Sequence, residues 1–188
     1  MRKIRKKYRK YVLPAVMGTV FVLAAIALSY AEKKSAVIPA GPFHAHADFK
    51  VFIDGKEMNF SSPEYNVRNV HTHLHTDNDF GGNVIHAEGR KAALGEFFAS
   101  LGMSFNSTCF ETWQEKFCNT EGKMLRFYVN GETNNAYGDY YPEDLDRILV
   151  SYGDADEDVS EQLDSVTNIA CVFSNKCPVP SDIKVVTF

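Results

Sequence analysis

The feature that most constrains this chain is an uncharged stretch of 21 residues, from 11 to 31. A helix of about 20 apolar residues spans the roughly 30 Å hydrocarbon core of a membrane. Residues 2 to 10 carry seven Lys and Arg side chains and no acid, and such a flank stays in the cytoplasm while the opposite end is exported. The stretch is therefore expected to be a transmembrane signal-anchor. A signal peptide cleaved after Ala31 is the alternative, and it would export the same body.

This orientation divides the chain into four parts. We expect a cytoplasmic basic segment at 1–10, the signal-anchor at 11–31, a linker at 32–42 and one extracytoplasmic domain at 43–188. The chain has 188 residues, which suffices for one compact domain but not for two ordinary ones. Its net charge is -4 although the cations cluster before residue 11, so the domain is acidic. An acidic body argues against nucleic acid as a partner.

Four cysteines fall in the part of the chain that is expected to be exported: Cys109, Cys118, Cys171 and Cys177. An even number in an exported domain favours disulfides. Three pairings are possible, and we expect Cys109–Cys118 and Cys171–Cys177 because each closes a short local loop. Free buried thiols and a four-cysteine zinc site are the alternatives, although neither pair has the tight spacing that is usual in zinc sites.

Alternation of apolar and polar residues indicates a strand that starts near His46, turns at Asp54-Gly55 and returns as a second strand to residue 60. Further strands are expected at 66–75, 83–88, 124–132 and 145–153. Helical spacing of apolar residues predicts a helix over 91–102. Acidic residues at the start of 154–166 suit the N-terminus of another helix.

Two stretches give weaker patterns: 103–123 reads as irregular, and 170–188 reads as a hairpin. Together the elements predict an α+β domain that has one mixed sheet, β-grasp-like, with a helix packed on the sheet. A small antiparallel barrel is the alternative arrangement.

All six histidines lie within one short region, at His44, His46, His71, His73, His75 and His86. In a strand, residues i, i+2 and i+4 point to the same face. The stretch "HTHLH" would thus present a row of three imidazoles, with Leu74 directed into the core. His44 and His46 form a second alternating pair, and His86 is expected to come from a neighbouring strand. Imidazole is a common ligand of zinc, copper, iron and nickel, so the pattern predicts a metal site. A pH-sensitive surface is the alternative reading.

Nearby carboxylates are candidates to support these ligands. Asp48 follows His46 by two residues, and Glu88 follows His86 by two. Ligating histidines commonly donate their second N–H to a carboxylate, so both are expected to lie behind the metal ligands. Known zinc-protease, serine-hydrolase and phosphate-loop motifs are absent from the sequence, and no catalytic residue is assigned.

Six segments together resemble an uncharacterised family of membrane-anchored, exported, histidine-rich domain proteins from archaea and small-genome bacterial lineages. They are "HAHADFKVFIDG", "HTHLH", "VIHAEG", "LGEFFASLG", "LRFYVNG" and "LDRILVSYG", and they cover roughly residues 43 to 177. The resemblance implies an exported placement. Relatives often carry a further histidine at the position that is Glu88 here.

The leading functional hypothesis is a membrane-anchored, extracytoplasmic domain that binds copper, or else zinc, for capture or delivery. A metal-dependent enzyme that uses His71, His73 and His86 with an open coordination position is the alternative. A structural cell-surface module is the third hypothesis.

Overall fold

The structure is a computed structural model, and it describes residues 43–66, 71–75 and 83–179. Its first strand has one face in the main core and one face opposite to it. Strand β1 spans Phe43–Ile53. Its Ala47, Phe49 and Val51 are buried in the main core, whereas His46 and Asp48 point to the opposite face, as the alternation predicts. The strand ends at Asp54 and Gly55, which have φ angles of 50° and 73°. Two successive positive φ angles are what a tight two-residue hairpin turn requires.

The other described residues add mainly short strands. They are β2 (Lys56–Glu57), β3 (Thr72–Leu74), β4 (Val84–Gly89), β5 (Ser104–Phe105), β6 (Cys109–Glu111), β7 (Lys116–Cys118), β8 (Lys123–Val129), β9 (Glu132–Thr133) and β10 (Arg147–Asp154). The helices are α1 (Leu94–Ser100), α2 (Ser160–Ser165) and α3 (Ala170–Phe173), and 3-10 turns lie at Pro63–Tyr65 and Tyr137–Asp139.

Seven strands form one mixed sheet in the order β3-β4-β1-β10-β8-β9, with β2 paired to the end of β1. The two long central strands, β1 and β10, run parallel, and the other neighbours are antiparallel. This confirms an α+β fold with one large mixed sheet. The described residues all belong to one compact unit of the chain.

The main core lies between this sheet and helix α1. Phe97 and Phe98 of α1 are buried against Phe49 of β1, with ring centroids 5.5 and 6.5 Å apart. On the other face of the sheet, Phe52 and Leu149 form a smaller cluster with Val166. Helices α2 and α3 therefore belong to the second face, which also carries the histidines.

Two expectations for the chain are wrong. Residues 104–118 are not irregular but contain a second sheet, β5-β6-β7. Its strands are only two or three residues long, too short for alternation to reveal. Residues 170–173 form helix α3 instead of a strand, because the buried Asp48 carboxylate accepts hydrogen bonds from the backbone N–H groups of Ile169 and Ala170, which favours a helix start.

Both expected disulfides are formed, Cys109–Cys118 between β6 and β7 and Cys171–Cys177 around the end of α3. Disulfides persist in oxidising compartments, so they fit the expected export. Among the described residues, no helix is both long and apolar enough to cross a membrane. The expected signal-anchor at 11–31, the linker at 32–42 and part of the 66–75 strand lie outside the described residues.

Candidate metal centre

Three neighbouring strands bring one histidine each to the same level of the sheet. His46 on β1 is the register partner of His86 on β4, and His86 is in turn the partner of His73 on β3. Partners on adjacent strands point to the same face, so the three imidazoles form a row across the sheet. Leu74, between His73 and His75, lies in the main core at 5% exposure. This fixes the register, because a slip by one residue would bury the histidines and expose Leu74.

The tightest group of donors consists of His44, His46 and His86. One ring nitrogen of each lies within 4.8 Å of the others, so the three could hold a metal ion. The nitrogen donors of a tetrahedral zinc ion lie about 2.0–2.1 Å from the ion and about 3.3 Å from one another. Small rotations of the three imidazole rings would bring their nitrogens to that separation. His44 is exposed and His46 is 3% exposed, which gives the group one side open to solvent.

His86 occupies the middle of a larger histidine cluster, which we define as His44, His46, His73, His75 and His86. The ring centroid of His86 lies 4.6 to 5.0 Å from those of the other four. Its Nδ1 is 3.1 Å from the Nε2 of His73, close to the spacing of two donors on one ion. Its buried Nε2 has no hydrogen-bond partner among the described residues, and it lies 4.0 Å from the Glu88 carboxylate.

A hydrogen-bonded chain fixes the tautomer of His46. The Nδ1 of His46 lies 3.0 Å from Ser174 Oγ, and that hydroxyl donates its proton to Asp144. Asp144 also accepts from the backbone N–H of His46 and pairs with Lys176. Because the Ser174 proton is committed to the carboxylate, His46 must donate from Nδ1. Its Nε2 then carries the lone pair that a metal ion needs.

Burial keeps two of these imidazoles neutral. The pKa of His46 is lowered to about 3, chiefly by desolvation and then by the nearby His75 and His44. The pKa of His86 is also lowered to about 3, by desolvation and then by His46 and His73. Both rings are therefore unprotonated at neutral pH, the state in which imidazole binds a metal ion.

Helix α3 and the turn after it cover the cluster. The ring of Phe173 stacks on that of His75 at 4.3 Å and lies 5.6 Å from that of His46. Asp48 anchors the helix, since its carboxylate accepts from the N–H groups of Ile169 and Ala170 at 2.8 and 2.9 Å and from the Thr167 hydroxyl. These bonds engage both carboxylate oxygens, so Asp48 holds helix α3, whereas the expectation was that it would accept an N–H group of a metal-ligating histidine.

The remaining expected residues lie at the rim. His71 Nδ1 is 3.4 Å from the carbonyl oxygen of Glu88, and His71 does not belong to the three-donor group. Glu88 is the register partner of His44, and its carboxylate lies 4.0 Å from the Nε2 of His86. Sequence reasoning missed Asp144, Phe173 and Ser174. No spacing could reveal them, because Ser174 is 128 positions from His46.

Two clefts lie away from the cluster, with cavity volumes of about 450 and 460 Å³. The first lies beside Trp113 and Tyr65, the second beside Gly95 and Gly138, and neither is lined by a histidine. Compared with protein families, curated proteins and solved structures, the chain shows no significant match. Its function must therefore be argued from the histidine cluster.

Proposed function

We propose that this chain is a membrane-anchored protein whose extracytoplasmic domain binds a transition-metal ion, copper or else zinc, for capture or delivery. The observation that carries the proposal is the group of three imidazoles, His44, His46 and His86, with donor atoms within 4.8 Å of one another. Two of the three are neutral at neutral pH, and the hydrogen bond to Ser174 leaves the Nε2 lone pair of His46 available to an ion. Nitrogen donors without thiolates suit Cu(II) and zinc.

The anchoring part of the proposal is supported by the sequence. The seven cations before residue 11 and the uncharged stretch 11–31 favour a cytoplasmic N-terminus, and two disulfides suit a domain outside the cytoplasm. Capture or delivery is favoured over catalysis because His44 is exposed and the two clefts described above contain no histidine. An exposed ligand gives an ion a route on and off the protein.

We also propose that the domain is of β-grasp type. The arrangement that supports this is a β1–β2 hairpin, a helix packed across the sheet and a strand, β10, that runs parallel to β1 in the centre.

The experiment is a metal titration of the full chain, purified in detergent and stripped of metal. We expect tight binding of Cu²⁺ or Zn²⁺ by calorimetry at pH 7.5, and fewer tightly bound ions per chain when His44 and His46 are both changed to Ala. His71→Ala is the matched control, since it removes an imidazole outside the three-donor group and should leave the number of tightly bound ions unchanged. Absence of tight binding by the parent chain, or unchanged binding by the double variant, would refute the proposal.

A further inference from the structure

We propose that the histidine cluster holds two metal ions that share His86. One ion would be bound by His44, His46 and Nε2 of His86, and the other by His73, His75 and Nδ1 of His86. This inference rests on the proposed function, because it assumes that the cluster binds metal, but it concerns the number and the arrangement of the ions.

The number of donors exceeds what one ion can use. Five imidazoles are packed with ring centroids 4.6 to 5.8 Å apart along the contacts that link them. A zinc ion takes about four ligands, and their donor atoms lie about 3.3 Å apart. Burying further imidazoles beside a single ion would cost solvation without adding bonds to it. A second ion would use donor atoms of the additional rings.

The order of the strands separates the donors into two sets. Strand β4 lies between β1 and β3, so His86 stands between the pair on β1, His44 and His46, and the pair at β3, His73 and His75. Each pair has i, i+2 spacing on one face of its strand. Neither pair needs the other to complete a three-nitrogen site when His86 contributes to both.

The two nitrogens of His86 point to different neighbours. Nδ1 faces His73 Nε2 at 3.1 Å. Nε2 is 4.0 Å from Glu88, which is the register partner of His44. The two nitrogens of an imidazole ring point away from each other, so one ring can donate to an ion on each side.

The chemistry of a shared imidazole balances simply. Neutral His86 has one N–H group and one lone pair, so the first ion takes the lone pair and leaves the N–H group in place. When the second ion binds, the N–H proton passes to solvent, and the resulting imidazolate donates one electron pair to each ion. Cationic ions on both sides stabilise the negative ring. Glu88, at the rim, is placed to balance the remaining positive charge.

Copper gives the sharpest test, because two Cu²⁺ ions joined by an imidazolate are magnetically coupled. The full chain is stripped of metal in detergent, loaded with Cu²⁺ and passed through buffer with glycine to remove weakly held copper. Copper content per chain and the integrated electron paramagnetic resonance signal are then measured on the same sample. We expect two copper ions per chain and a spin signal well below the copper content.

Three single variants complete the design: His44→Gln, His75→Gln and His71→Gln. The first two each remove a ligand from one ion only, so each should hold one copper ion with a full spin signal. The third is the matched control, and it should keep two coupled ions. Glutamine keeps a polar side chain at each position, and circular dichroism checks that each variant is folded.

The outcomes are separable. Saturation of the parent at one ion would overturn the two-ion inference and leave the proposed function intact. Two ions with a full spin signal would overturn the sharing of His86. No bound copper or zinc at all would overturn the proposed function itself.

Discussion

Replacing Ser174 by alanine is expected to weaken metal binding by about 10- to 100-fold, the usual cost of losing a residue that supports a ligating histidine. The hydroxyl of Ser174 accepts from His46 Nδ1 at 3.0 Å and donates to Asp144. Without it, His46 can place its proton on either nitrogen. Only the tautomer that is protonated at Nδ1 presents the Nε2 lone pair to the ion, so the free energy needed to populate this tautomer is subtracted from the binding free energy.

The magnitude follows from the burial of the site. His46 is 3% exposed, so bulk water does not replace the lost acceptor, and the hydrogen bond contributes about 1–2 kcal/mol. A tenfold change in affinity corresponds to about 1.4 kcal/mol, which agrees with the lower part of the expected range. Folding should survive, because Asp144 keeps its bonds to Lys176 and to the backbone of His46.

The assay is competition for Zn²⁺ against a chromophoric chelator, using the full chain in detergent. Ser174→Thr retains a hydroxyl and should bind nearly as tightly as the parent. Ser165→Ala is the matched control, since its hydroxyl bonds only to the Gln162 carbonyl of α2 among the described contacts. Binding by Ser174→Ala within about twofold of the parent, or equal losses in the Ala and Thr variants, would refute the argument.

Four further outcomes are expected. The metal-free protein should lose stability as pH falls from 6.5 towards 3, because His46 and His86 take up protons near pH 6.5 only when unfolded and have pKa values of about 3 when folded. After allowance for solvent screening, the loss of unfolding free energy is at most about 1–2 kcal/mol per histidine at pH 5, and urea unfolding at pH 7.5 and 5 would measure it. Metal affinity should fall over the same range, because a metal ion binds only unprotonated imidazole. Changing Cys109 and Cys118 together to Ser should cost about 2–3 kcal/mol of unfolding free energy, with little change in metal affinity. A protease added to spheroplasts should digest the domain, and protection of the domain would refute the proposed orientation.

The parts of the fold that follow local rules could be predicted from the sequence. The β1 strand was predictable because Ala47, Phe49 and Val51 alternate with polar residues, and the turn at Asp54-Gly55 has the chemistry that its positive φ angles require. The disulfides were predictable because each closes a loop of fewer than ten residues. These features depend only on neighbours along the chain.

The candidate ligand set could be predicted only in part. Alternation correctly placed His73 and His75 on one face and Leu74 in the core. It could not show that β4 lies between β1 and β3, and this order is what brings His86 against His44 and His46. Sheet order depends on long-range pairing, which no local pattern encodes. The helix at Ala170–Phe173 was missed for the same reason, since it is capped from Asp48, 122 positions earlier.

The second disulfide links the location of the protein to the chemistry of the site. The loop closed by Cys171–Cys177 contains Phe173 and Ser174. Phe173 stacks on the ring of His75, and Ser174 sets the tautomer of His46. A segment this short, with a helix of only four residues, has little helical stability of its own and depends on the bond and on Asp48 to hold its shape. The bond forms in an oxidising compartment. Under the proposed export, this disulfide would help to hold in place the residues that support the proposed metal ligands.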